Sequence, residues 1–256
     1  MMRDRGFTLV ELVIVIVLLA VVATISVRFV ALSTQVAIDT SARQQRALKA
    51  AVISEQISRA LRGALPTSVR TNGNCIEWMP IVAGSNYLNR PKGGNSFDAV
   101  PLPGSASASG RAVLYPHSGN VYQPSDPGVI SPPASMAGDG TVTFDGGQTH
   151  RFKGQSPQRR FYLVASPRMV CQEPGSRFLY RYRNYGIQSG IGDSKPLTMP
   201  NREVLAAGVQ TGSLAFELTP PTLQRGAVVS FDYTLADPDS GETLDVGQEV
   251  QIRNVP

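Results

Sequence analysis

From Phe7 to Val27 the chain is apolar except for a single charge, Glu11, and this stretch dictates the environment of everything near it. Its length suffices to cross the hydrocarbon core of a bilayer as a helix. Arg3 and Arg5 precede it, and such basic flanks keep an N-terminus on the cytoplasmic side, which predicts that residues beyond Arg28 lie outside. A secretory signal peptide is the competing reading. Such peptides carry their small-residue cleavage site after the apolar region. Here the small residue, Gly6, comes before it, and Ala20-Val-Val-Ala23 is a weak conventional site. A carboxylate inside a membrane helix costs roughly 2.5–3.5 kcal/mol on insertion scales. Glu11 therefore calls for a positive partner, or for a place near enough to the helix end to reach the headgroups.

The helical pattern continues past the apolar run. Between Arg28 and Arg62 there is neither Pro nor Gly. Leu48, Val52, Ile53, Ile57, Ala60, Leu61 and Ala64 recur at spacings of three and four, which predicts one apolar stripe, and Gly63 and Pro66 supply stop signals. A helix from Phe7 to Gly63 would extend about 85 Å at 1.5 Å per residue. A dimeric coiled coil over 28–62 is disfavoured by irregular, Ala-rich heptads. The remainder is rich in Gly and Pro, 24 and 19 in the whole chain, so short strands and turns are expected there. The strand candidates are Cys75–Val82, Ala112–Tyr115, Val121–Tyr122, Thr141–Phe144, His150–Phe152, Phe161–Ala165, Met169–Gln172 and Arg177–Tyr185. Two more are expected within Val204–Leu218, and then Ala227–Leu235 and Leu244–Arg253. Residues 83–110 and 123–140 read as two long loops by composition.

The only cysteines, Cys75 and Cys171, both fall in strand candidates. Such a pair forms one disulfide in an oxidising compartment and stays as two buried thiols in a reducing one. The N-terminal reading places them outside the cytoplasm, so a Cys75–Cys171 bond is expected. The net charge of +5 is scattered, with no run of four basic residues, and reads as a basic soluble surface. Tyr180-Arg-Tyr182-Arg-Asn-Tyr185 interleaves aromatic and basic residues as single-strand nucleic-acid binders do. On a strand, however, Tyr180 and Tyr182 share one face while Arg181 and Arg183 share the other, which is ordinary sheet alternation. Nucleic acid is not an expected partner. Asp237, Asp239, Glu242 and Asp245 around Gly241 offer oxygen ligands, but incompletely for an EF-hand, and the stretch reads as a hairpin turn. His117 and His150 are the only histidines, and neither belongs to a zinc-binding pair. No nucleophile elbow, phosphate-binding loop or dinucleotide fingerprint is present, so no catalytic residue, metal site or cofactor is assigned.

At Gly6-Phe7-Thr-Leu-Val-Glu11 the sequence resembles the prepilin cleavage and methylation motif of type IV pilins and of type II secretion pseudopilins. The resemblance implies a leader of residues 1–6, cut between Gly6 and Phe7 by a prepilin peptidase, with the new Phe7 amine methylated. It implies that Glu11 pairs with the terminal amine of a neighbouring subunit and sets axial register. The fold it implies is α+β, a pilin-like lollipop: a membrane or filament-core helix over 7–27, an amphipathic continuation over 28–65, and an antiparallel β-sheet periplasmic domain over 66–256. Ala60-Leu-Arg-Gly-Ala-Leu-Pro-Thr-Ser-Val-Arg70 resembles the helix exit of J-type pseudopilins and of their pilus relatives. Cys75-Ile-Glu-Trp-Met-Pro-Ile, Val170-Cys171 and Val250-Gln-Ile-Arg-Asn-Val-Pro256 resemble minor pilins of the mannose-sensitive haemagglutinin (MSHA) pilus. The partners implied are other major and minor pilins, the peptidase, an inner-membrane assembly platform and the membrane, crossed once with the domain periplasmic or at a pilus tip. The family is not enzymatic. A tip adhesin or DNA receptor, and a membrane-tethered enzyme, are the readings of other classes.

Overall fold

The computed structural model describes residues 8–252 other than 90, 223 and 239. One helix, α1 (Leu9–Arg62), is followed by antiparallel sheets, an α+β fold. The chain divides into two units, residues 1–49 and 50–256.

Within the first unit α1 carries exposed apolar side chains throughout, from Leu9 and Val10 to Val36 and Ile38. An 18-residue window of this helix reaches a mean hydropathy of 2.9. The Thr24 hydroxyl donates to the Ala20 carbonyl one turn back, and Thr34 and Thr40 do the same to Val30 and Val36 at 2.8 Å. This back-bonding removes bare hydroxyls from an apolar surface.

The second unit begins with the last three and a half turns of α1. Its strands are, in order, β1 (Arg70–Thr71), β2 (Cys75–Trp78), β3 (Ile81–Asn86), β4 (Ser96–Asp98), β5 (Ala108–Leu114), β6 (Ile130–Met136) and β7 (Thr141–Phe144). Then come β8 (Arg160–Val164), β9 (Arg168–Gln172), β10 (Phe178–Tyr182), β11 (Arg202–Ala207), β12 (Ala215–Thr219), β13 (Val228–Ala236) and β14 (Thr243–Gln251). They form a five-stranded sheet ordered β1-β2-β9-β10-β11, a three-stranded sheet β12-β13-β14 and a six-stranded sheet β3-β8-β5-β6-β7-β4.

The helix is held by the stripe Ala50, Ile53, Ser54, Ile57, Ser58 and Leu61, spaced to keep one face inward. It packs with Ile76, Trp78, Val170 and Leu179 of the five-stranded sheet and with Phe216, Phe231, Tyr233 and Val250 of the three-stranded one. This corrects the predicted stripe: Leu48 and Val52 are exposed, and two serines take inward places. The exchange is tolerated because a tyrosine reaches across to it. Tyr233 Oη lies 3.0 Å from Ser54 Oγ and donates to the Ala50 carbonyl at 2.8 Å, so hydroxyl and backbone are satisfied inside the core.

At its centre, along β8 and the end of β5, the six-stranded sheet is buried on both faces. Ala112, Leu114, Phe161 and Leu163 point to one cluster, built round Phe97, Phe144 and Phe152, while Val113, Tyr162 and Val164 point to another with Leu65, Met79 and Ile130. Two-sided burial explains why its central strands read as unbroken apolar runs.

The two expected loops need the larger correction. Residues 83–110 contain most of β3, all of β4 and the start of β5, and residues 123–140 contain β6. The polar and Gly-rich segments pass for loop because each strand has one open side or a defect. β4 is an edge with a single inward residue, Phe97. In β3, Gly84 lies against the Tyr162 ring, where an added Cβ would approach to 3.0 Å. β6 carries Pro132 and Pro133 inside a sheet, where prolines are ordinarily excluded. Its ladder with β7 uses only Ala134 to Met136, and its ladder with β5 breaks between Arg111 and Val113. At that break the Ala112 N–H donates to Ser131 Oγ at 2.8 Å, a side chain standing in for the ladder partner. Val121–Tyr122 and His150–Phe152, expected as strands, are not: the first is a buried turn, and the second makes one isolated bridge, Gly128 to Phe152.

The revised stripe predicts opposite outcomes on one helix. Ile57→Ala should cost about 2–5 kcal/mol, while Val52→Ala should change stability by less than about 0.5 kcal/mol. Denaturant unfolding of the detergent-solubilised chain distinguishes them.

Candidate functional site

Gly6 and Phe7, the expected processing pair, lie outside the described residues. Glu11 is described, in the first turn of α1. The Glu11 N–H donates to Thr8 Oγ1 at 3.3 Å, and the Leu12 N–H to the Thr8 carbonyl at 3.2 Å. Thr8 is thus the N-cap and Glu11 the third helical residue, the spacing of a capping box. A carboxylate there also faces the positive end of the helix dipole. The sequence reading missed this cap, although Thr8-Leu-Val-Glu11 spells its signature. Glu11 thus lies in the first turn of α1, beside the helix's capped N-terminus.

Residues 1–27 match the family model described as the prokaryotic N-terminal methylation motif. No curated protein and no solved structure gives a significant match to the chain. The motif supports a type IV pilin-like or pseudopilin-like subunit, for which processing by a prepilin peptidase and assembly with other pilins are the general consequences. Together with the apolar helix it fits a membrane-anchored, single-pass protein.

In the second unit the best-connected polar site surrounds the disulfide. Cys75 and Cys171 face each other on β2 and β9 and are bonded, with Cα atoms 4.2 Å apart. The bond shares its face of the sheet with Met169, Tyr180 and Tyr182, covered by Tyr185 and Ile191 from the segment linking β10 to β11. Two charged ties hold that segment down. Arg70, on β1, donates through Nε to Oε2 of the fully buried Glu77 at 2.5 Å and through its Nη atoms to the carbonyls of Gln188, Ser189 and Gly190. Its guanidinium lies 3.6 Å over the Tyr122 ring, and Tyr185 Oη donates to the other Glu77 oxygen at 2.8 Å. Burial pushes the Tyr122 and Tyr185 hydroxyls far above their ordinary value, with the Glu77 charge adding to it, so both remain protonated donors. Further along, Lys195 Nζ reaches Glu173 Oε1 at 3.0 Å and stands 3.9 Å from Cys75 Sγ, while Tyr182 Oη donates to the same Glu173 oxygen.

The mixed Tyr–Arg stretch resolves as sheet alternation. Tyr180 and Tyr182 turn to the disulfide, whereas Arg181 and Arg183 both bind Glu203 on or beside β11. The single Glu203 carboxylate thus holds both guanidiniums in place and offsets half of their charge. The region from Asp237 to Glu242 closes the β13–β14 hairpin, with the Asp237 N–H on the Glu242 carbonyl at 2.9 Å and the Ser240 N–H on Asp237 Oδ1 at 3.0 Å. His150 is buried against Phe144 and Phe152, and burial lowers its pKa, so it stays neutral. His117 is half-buried beside Tyr115. Among the described residues no group of three or more His, Cys, Asp or Glu could hold a metal ion.

Two measurements check these ties. Arg70→Met strands a buried carboxylate and should cost about 3–5 kcal/mol, whereas Arg70→Met with Glu77→Leu should cost much less. Acid should weaken the fold as well. Burial raises the Glu173 carboxyl, but hydrogen bonds from Tyr182 and Lys195 more than reverse this, and the Arg181 hydrogen bond foremost lowers Glu203. Folded values below the ordinary 4.5 mean that this stability is complete above that pH and is lost as pH falls through the lower folded values. Melting temperature should therefore drop below about pH 4.5 in the parent and less steeply in Glu203→Gln.

Proposed function

We propose that the chain is a minor pilin of a type IV pilus, an MshO-like subunit of an MSHA-type system that acts in initiating or capping the filament. The observation that carries this reading is the methylation motif over residues 1–27, placed on a helix whose apolar surface is exposed from Leu9 onward. A membrane-anchored precursor would be cut between Gly6 and Phe7, leaving α1 in the inner membrane with the β-rich domain in the periplasm. On assembly, α1 would move from lipid to the apolar core of a filament. There Glu11, at the capped end of the helix, would meet the amine of an adjacent Phe7, and the pairing would offset the carboxylate's cost in an apolar medium. The β-sheet domain would supply the contacts that distinguish one minor pilin from another.

A J-type pseudopilin of type II secretion shares all these elements and is the second reading, since the helix-exit segment Ala60–Arg70 resembles both that type and its pilus relatives. A DNA-binding tip subunit is less well supported, because Arg181 and Arg183 are occupied by Glu203.

Intact-mass and N-terminal analysis of chain co-expressed with a prepilin peptidase should find a methylated Phe7 as first residue. A chain beginning elsewhere refutes the processing step. Glu11→Ala should still be cut and inserted, yet fail to enter filaments in a pulldown of assembled pili. Rescue of a strain lacking the MSHA minor pilins, set against one lacking the J-type pseudopilin, separates the two systems.

A further inference from the structure

Away from the helix and the disulfide, arginines from three strands line one open cleft of about 430 Å3. Arg111 comes from β5, Arg168 opens β9, and Arg183 follows the end of β10. The cleft forms where two sheets part: β8 ends at Val164, and residues 165–167 carry the chain across to β9. Its floor is backbone. At Gly110 the chain presses so closely on β8 that an added Cβ would lie 2.5 Å from the Val164 carbonyl oxygen. Arg111 therefore projects from the middle of β5, and Arg168 from the start of β9, on this tightly packed frame.

Their bonding is uneven. Arg183 is satisfied by Glu203 and by the Pro200 carbonyl. Arg111 is half-buried, and its guanidinium makes one hydrogen bond, to the Ser131 carbonyl at 2.9 Å. It has no carboxylate partner among the described residues, and burial works against its charge. The Arg168 side chain makes no hydrogen bond or ion pair among the described residues. The one acid in the lining, Asp145, is exposed and pairs with none of the three. Arg111 is thus a half-buried charge without an ionic partner, where such charges are ordinarily paired, whereas Arg168 stands in solvent at the cleft. Two forks facing one cavity with nearly all their donors unused match the planar oxygens of a carboxylate or phosphate. The volume lies within the range of small-ligand sites. We propose that this cleft binds a small ligand through a carboxylate or phosphate group, held by Arg111 and Arg168.

The test uses the full chain in detergent micelles, labelled with 15N-arginine, titrated separately with inorganic phosphate and with glucuronate at constant ionic strength held by chloride. The expected result is saturable movement of the Arg111 and Arg168 side-chain signals with at least one anion. Arg168→Gln, an exposed position, should weaken that binding about tenfold, the loss of one charge-assisted contact. Lys153→Gln, outside the cleft, should leave it unchanged. Tighter binding of phosphate identifies a phosphoryl ligand, and tighter binding of glucuronate a carboxylate one. Shifts that never saturate, that spare Arg111 and Arg168, or that persist at full strength in Arg168→Gln overturn the proposal.

Discussion

The burial of Ile53, Ile57 and Leu61 against both the five-stranded and the three-stranded sheet builds one core, to which direct bonds such as the Phe216 N–H to the Gly73 carbonyl and the Val209–Leu235 bridge add. Neither the five-stranded nor the three-stranded sheet could cover its own apolar face. Each needs the helix, and the helix end needs both. Tyr233 shows how closely the fit is specified, since its hydroxyl lies against the buried Ser54 hydroxyl and adds a second bond to the Ala50 carbonyl of the helix. The six-stranded sheet joins this core from the helix exit, where the Leu65 N–H donates to the Met79 carbonyl and the Ile81 N–H to the Gly63 carbonyl.

The polar ties perform a different task. The segment between β10 and β11 has little regular structure and few apolar residues of its own. It is fixed over the disulfide by Arg70, Glu77, Lys195 and Glu173, with tyrosines filling the space between. Arg70 is central because it uses a carboxylate, three carbonyls and an aromatic face at once, which the planar five-donor guanidinium allows and an ammonium does not.

What could be read from the residues followed how strongly each element expressed one local rule. The long helix was legible through an absence of breakers, and β8, β9 and β13 through apolar runs. Ser54 misled the stripe because its burial depends on Tyr233, 179 positions away. β6 was illegible because Pro132 and Pro133 argue for loop, and only the ladder break and the Ser131 side chain make them acceptable. Arg70 and Glu77 were passed over since nothing local distinguishes them, their ion pair arising from the β1–β2 register that sets Arg70 opposite Glu77. The Thr8 cap was visible as a four-residue signature but was overshadowed by the larger motif that contains it.

The position of the Cys75–Cys171 bond has a mechanical consequence. It bridges 96 residues, and β3 to β8, the whole six-stranded sheet, fall inside that covalent ring. Tension entering from the helix passes through β1 to Cys75 at the start of β2, crosses the sulfurs and leaves from Cys171 near the end of β9. The six-stranded sheet hangs from this short circuit without lying on it. A pull strong enough to shear the remaining strands would therefore leave that sheet unstretched, and with it the strand β5 that carries Arg111.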